Sequence, residues 1–98
     1  MNEDQNILVE ELRTRRAAAL AAAREAVLGW LEPEGREGYS KQFKLELELE
    51  MDIQHINKML RAMEGDGLLL SRLQYPPHPD RPGGGGMSRR YYRKVRHG

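Results

Sequence analysis

Tyr39–Met51, YSKQFKLELELEM, decides how the chain is read, because two physical signals within it disagree. Phe43, Leu45, Leu47, Leu49 and Met51 alternate with Lys44, Glu46, Glu48 and Glu50, which is the period of a strand with one buried face. The residue types point the other way. Leucine, glutamate, lysine and glutamine are good helix formers, and nothing in the stretch is β-branched. Ser40 can cap a helix N-terminus, and Leu45 with Leu49 keep i, i+4 spacing. The alternation predicts a strand; composition and capping predict a helix.

The stretch that follows, Glu50–Leu73, EMDIQHINKMLRAMEGDGLLLSRL, settles the choice. Asp52 is a good N-cap at the positive end of a helix dipole, and Met51 with Ile56 occupy the positions of a hydrophobic staple. Ile56, Leu60 and Met63 recur at helical spacing with Ile53 and Met59 beside them, while Gln54, His55, Asn57, Lys58 and Arg61 fall elsewhere. Gly65-Asp66-Gly67 ends the helix, glycine being free to take the left-handed conformation that closes a C-terminus. A helix of roughly eight residues, a turn at Glu50-Met51-Asp52 and a second helix from Ile53 make a helix-turn-helix over 39–67. Residues 43–51 are therefore expected to be helical. A helix whose outer face carries amide, imidazole and cationic groups suits a DNA major groove, since such groups hydrogen-bond base edges.

Beyond Gly67, LLLSRLQ is expected to be a strand, with MSRRYYRKV, Met87–Val95, as its partner in a hairpin over 68–95. Tyr91 and Tyr92 would face opposite sides, one in the core and the other free to stack or to donate to a phosphate. Between the strands, YPPHPDRPGGGG holds four prolines and the run Gly83 to Gly86, a composition that predicts an open loop.

Upstream, residues 3–32 carry the longest helical signal. Leu8, Leu12, Ala19, Ala23, Val27 and Trp30 form one stripe, and Leu20, Leu28 and Leu31 lie off it. Two apolar faces are expected to pack one on the domain and one on a second copy, giving a homodimer; a single broad face within a monomer is the alternative. Pro33 disfavours helical geometry at Glu32 and ends the helix, and a polar loop leads to Gly38.

With 98 residues, the chain is expected to be a single domain over 1–98 whose core is small enough to gain from dimerisation. There is no cysteine, which excludes disulfide frameworks, thiolate zinc sites and thiol catalysis. MNEDQNILVEEL lacks the apolar segment of a secretory signal, and Ala17 to Leu31 is too short to cross a bilayer and is interrupted by Arg24 and Glu25. The expected location is cytoplasmic, with no membrane partner. Charge is segregated. Ser71 to Gly98 has seven basic residues against Asp80 alone, net +6, whereas Met1 to Leu70 has nine basic and fourteen acidic, net −5. A basic end on an acidic body fits a chain that meets a polyanion with one face, and a solvated basic tail shows the same pattern.

His55, His78 and His97 have no ligand spacing with carboxylates, and the glycine run lacks the lysine and hydroxyl of a nucleotide-binding loop. No metal, cofactor or catalytic residue is expected, and enzyme chemistry is not.

The order helix, helix, turn, helix, strand, basic loop, strand resembles a winged helix-turn-helix, with the last hairpin as the wing. MLRAMEGDGLLLSRL is similar to the end of the recognition helix and the first wing strand of bacterial repressors of the MarR and PadR-like kinds. SRRYYRKV resembles the second wing strand of PadR-like regulators, where a run of the type Arg-x-Tyr-Tyr-Arg recurs. The likeness covers roughly Tyr39 to Val95. Two features depart from it: the glycine-rich tip is longer, and the C-terminal dimerisation helix of PadR-like proteins has no counterpart, so the long N-terminal helix would replace it.

The resemblance implies an α+β fold, a winged helix-turn-helix with a long N-terminal helix and a C-terminal hairpin wing, that binds double-stranded DNA as a homodimeric transcriptional regulator, a repressor. Base contacts would come from Gln54, His55, Asn57 and Lys58, with Arg61 on phosphate. Arg81, Arg89 and Arg90 would follow phosphates or enter the minor groove, and Ser40, Lys41 and Gln42 would meet the sugar-phosphate backbone. The rival expectation is a protein-interaction module of the same fold, with the N-terminal helix and the acidic surface holding a protein and the basic hairpin serving solubility.

Overall fold

The computed structural model describes residues 3–75 and 88–96. Within them the architecture is α+β: helix α1 (Glu3–Trp30), helix α2 (Ser40–Glu46), helix α3 (Ile53–Gly65), and an antiparallel hairpin of β1 (Leu69–Gln74) and β2 (Arg89–Lys94). No helix among these residues is long and apolar enough to cross a membrane.

Only the C-terminal part of α1 belongs to the core. Ala23 and Val27 are buried and Trp30 packs against them, but Leu8, Leu12 and Leu20 are exposed. Leu31, expected off the stripe, is 1% exposed and central to the core. The helix ends two residues before the expected boundary, with Leu31 N–H still donating to the Val27 carbonyl at 3.0 Å. Arg36 N–H then closes a turn on the Pro33 carbonyl, with Gly35 at φ +78° in the place where such a turn needs a left-handed residue.

The return to α2 contains a pairing absent from the sequence reading. Gly38 and Tyr92 exchange both backbone hydrogen bonds, at 3.0 and 2.7 Å, so one residue adds a third rung beside β2. This approach needs glycine, because a Cβ there would lie 2.7 Å from the Phe43 ring and 2.8 Å from that of Trp30. Those two rings meet edge to face at 5.4 Å and close this side of the core. The pairing keeps Tyr39 extended, so Tyr39 occupies the N-cap of α2 without a side-chain cap bond, and Ser40 is the first helical residue instead of the expected cap.

Residues 43–51 are helical only as far as Glu46. Phe43 is fully buried and Leu45 is two-thirds exposed, as one helical turn requires; Leu47, Leu49 and Met51 then tuck against the core from an irregular turn over residues 47–52, wider than the expected three. Glu48 takes φ +50°, and the Lys44 ammonium donates to the Leu49 and Met51 carbonyls at 3.2 and 2.6 Å. The turn's orphan carbonyls are thus satisfied from the preceding helix, which removes the cost of leaving them unpaired.

Helix α3 follows its sequence closely. Asp52 caps it by accepting from His55 N–H at 2.9 Å, and Ile56, Met59, Leu60 and Met63 fill the core. At the other end Gly67, at φ +81°, donates to Glu64 and Leu68 donates to Met63. That pair of bonds is a Schellman closure, and it delivers Leu69 directly into the hairpin. In the hairpin Leu69 opposes Lys94 and Gln74 opposes Arg89. Tyr92 is the tyrosine that enters the core.

Candidate nucleic-acid interface

Alternation of buried and exposed positions gives α3 two faces. Gln54, His55, Asn57, Lys58 and Arg61 are all exposed and border one shallow depression, opposite the buried stripe. The capping interaction also arranges this face: His55 Nδ1 lies 2.8 Å from the Asp52 carboxylate, which fixes the imidazole at the first turn. The His55 backbone N–H, and after it the His55 ring, hold the Asp52 carboxyl below the usual carboxylate range. Lys58 and Arg61 supply positive charge one turn apart on the same side.

Arg61 also connects this face to the hairpin. Tyr92 and Ser71 are opposite one another in the register, so both face α3. Ser71 Oγ donates to Glu64 at 2.5 Å and accepts from Arg90 at 2.8 Å. Burial raises the Tyr92 hydroxyl pKa, while Arg90 and a hydrogen bond from Arg61 oppose the rise. Arg61, Glu64, Ser71, Arg90 and Tyr92 therefore make one polar seam between α3 and the two strands.

The other side of the hairpin is organised separately. Arg72 makes a two-pronged bond with Glu37, at 2.7 and 2.9 Å, and lies over the Tyr91 ring at 4.9 Å. That carboxylate raises the guanidinium pKa further. Tyr91 meets Tyr39 edge to face, and Arg89 stacks 4.0 Å from the Tyr39 ring. Arg89 and Arg90 both sit at the loop end of the strand pairing, but on opposite sides of it. Arg81 lies outside the described residues.

At the start of α2, Lys41 is exposed and Ser40 and Gln42 are half-buried. Glu46, Glu48 and Glu50 are exposed along the turn, placing acidic groups between the two helices. Sequence reasoning grouped the α3 side chains correctly as one outward face. It missed Glu64, Ser71 and Tyr92 as the link to the hairpin, and Tyr39, Glu37 and Arg72 as the support of its far side. Strand alternation would have placed Ser71, Arg90 and Tyr92 on one face once the register was known; nothing local marks Tyr39 or Glu37.

Comparison of the chain with protein-family models, with curated proteins and with solved structures gives no match in any of the three. The functional reading therefore rests on the chain's own geometry.

Proposed function

We propose that the chain is a winged-helix DNA-binding protein, a cytoplasmic transcriptional repressor that acts as a homodimer. The single observation carrying this reading is the exposed set Gln54, His55, Asn57, Lys58 and Arg61, gathered on one side of a helix whose opposite side is buried and whose C-terminus leads straight into a basic hairpin. In this reading Gln54, Asn57 and Lys58 read base edges in the major groove, His55 is oriented by Asp52, and Arg61 and Arg90 meet phosphate. Arg89, braced by Tyr39, follows backbone on the outer side of the wing. Lys41, at the start of α2, contacts the strand crossing there, with Ser40 and Gln42 beside it.

The protein-interaction reading draws on a different observation, the exposed apolar residues of α1. Duplex binding against salt separates the two. A DNA-binding chain loses affinity steeply as salt rises, and the Arg89→Ala/Arg90→Ala double variant flattens that slope by about two phosphate contacts. Gln54→Ala or Lys58→Ala should lose preference for a selected duplex and keep weak general binding. If no duplex binds even at low salt, the DNA reading fails.

A further inference from the structure

Residues Ile7 to Ala22 form sixteen consecutive helical positions that are all exposed. Their large apolar members, Ile7 apart, are not scattered. Leu8, Val9, Leu12 and Ala19 project on the same side of the helix as Ala23 and Val27, with Leu20 at the edge of that side, so the stripe that enters the core continues outward along positions that are all exposed. Leu8 and Leu12 are 58% and 50% exposed, an arrangement that costs hydrophobic free energy unless something covers it.

Charge along this overhang indicates the occupant. Glu10 and Glu11 lie towards its N-terminal end, and Arg13, Arg15 and Arg16 follow immediately. Two copies laid side by side in the same direction set glutamates against glutamates and arginines against arginines. Laid in opposite directions, with the crossing near residues 13 and 14, Glu11 comes beside the other copy's Arg15, both lying on the same flank of the stripe.

We infer that the overhanging part of α1 is an antiparallel self-docking surface, on which a second copy of this chain lies with Leu8 beside the second copy's Ala19 and Glu11 beside its Arg15. The pairing is isologous, so a two-fold axis makes every contact twice. Arg16 falls within the stripe; its aliphatic stem covers apolar surface while its head reaches solvent at the rim of the pairing. Sixteen helical residues span about 24 Å, less contact than a standard tight complex makes, so the association depends on protein concentration. The inference sharpens the homodimer of the proposed function and does not depend on DNA binding.

The chain has no cysteine, so single introduced thiols report the direction of pairing. Light scattering over a concentration series should approach twice 11.3 kDa. A mixture of Leu8→Cys and Ala19→Cys proteins should form a disulfide-linked pair, whereas Leu8→Cys alone should not, because in an antiparallel crossing its thiols stand far beyond disulfide reach. Glu10→Arg/Glu11→Arg and Arg15→Glu/Arg16→Glu proteins should each be monomers and should dimerise when mixed. All of these positions lie outside the core, and circular dichroism should show every variant folded. A monomeric mass throughout the series overturns the proposal and leaves the face to another partner. Self-linking of Leu8→Cys shows parallel pairing, and dimers that survive both charge reversals show a different surface; either result overturns the antiparallel arrangement while the homodimer stands. Because no readout involves nucleic acid, loss of the DNA reading would be seen separately.

Discussion

Helix α1 passes through two environments. Around Ala23, Val27 and Leu31 it is walled by Phe43, Ile56, Leu60, Met63, Leu69 and Tyr92, whereas from Ile7 to Ala22 every position is exposed. The same residue types therefore act differently along one element. Near the C-terminus each buried aliphatic contributes about 1.5–3 kcal/mol to folding, and further out leucines of equal size contribute almost nothing to the isolated chain. Stability is set by the second half of the chain closing over the end of α1. The outer stretch of α1 remains available for association.

The sharpest break in this comparison is truncation to alanine in each of the two environments. Phe43→Ala removes a fully buried ring that faces Trp30 edge-on and should cost about 3–5 kcal/mol, a large share of the stability of a domain this small. Leu12→Ala should change the stability of dilute monomer by less than about 0.5 kcal/mol, while weakening self-association. Urea midpoints of the two variants at low protein concentration test this. Equal losses would mean that the outer stretch packs on the domain after all.

Next in size is Gly38→Ala. The added methyl meets the buried Phe43 ring and the half-buried Trp30 ring, and relieving the clash should cost about 1–3 kcal/mol and loosen the pairing with Tyr92. Hydrogen exchange at the Tyr92 amide reads the loosening directly. An unchanged exchange rate would show that the third rung does not hold β2 to the rest of the core.

These two sites also show why the sequence was legible in some places and not in others. Helix α3, its Asp52 cap and its glycine closure follow from local rules, since apolar spacing, a capping carboxylate and a left-handed glycine act within a few residues; the two hairpin strands were also legible, but not their register. The Phe43–Met51 alternation was misleading because two structures share it: Phe43 is buried by helical geometry, while Leu47, Leu49 and Met51 are drawn in from an irregular turn. Lys44 reads as a solvated helix charge and is in fact the donor holding that turn. The Gly38–Tyr92 pairing spans more than half the chain and rests on one residue, too short to leave a pattern. At the candidate interface, the outward set on α3 was legible from periodicity. The division of Arg89 and Arg90 between two sides of the hairpin also follows from alternation, but their partners Tyr39 and Ser71 are fixed by tertiary packing.

A smaller effect should come from Asp52→Ala. It removes the cap of α3 and the anchor of His55 together, and should lower the thermal midpoint by a few degrees. Asp52→Asn, which can still accept from the His55 N–H, should recover most of the loss. If the alanine variant melts unchanged, the cap is not what fixes the first turn of the outward face.

The smallest effect at neutral pH, and the most diagnostic of the seam between α3 and the hairpin, concerns Tyr92. Burial raises its folded pKa above the ordinary value of 10.0, with Arg90 and Arg61 opposing the rise. A group whose folded pKa exceeds its unfolded one contributes stability that is complete below the unfolded value and is lost as pH climbs through the folded value. The native state should therefore weaken above about pH 10 as the unfolded chain ionises its tyrosine first. Tyr92→Phe removes this ionisation and keeps the ring in place, so its unfolding free energy should fall less between pH 9 and pH 11 than that of the parent chain, at a cost near neutrality limited to the hydroxyl's bond with Arg61. Parallel alkaline profiles would show that Tyr92 ionises in the folded chain as it does in water. In that case its hydroxyl would be solvated, and the polar seam joining Arg61 to Arg90 would not exclude water.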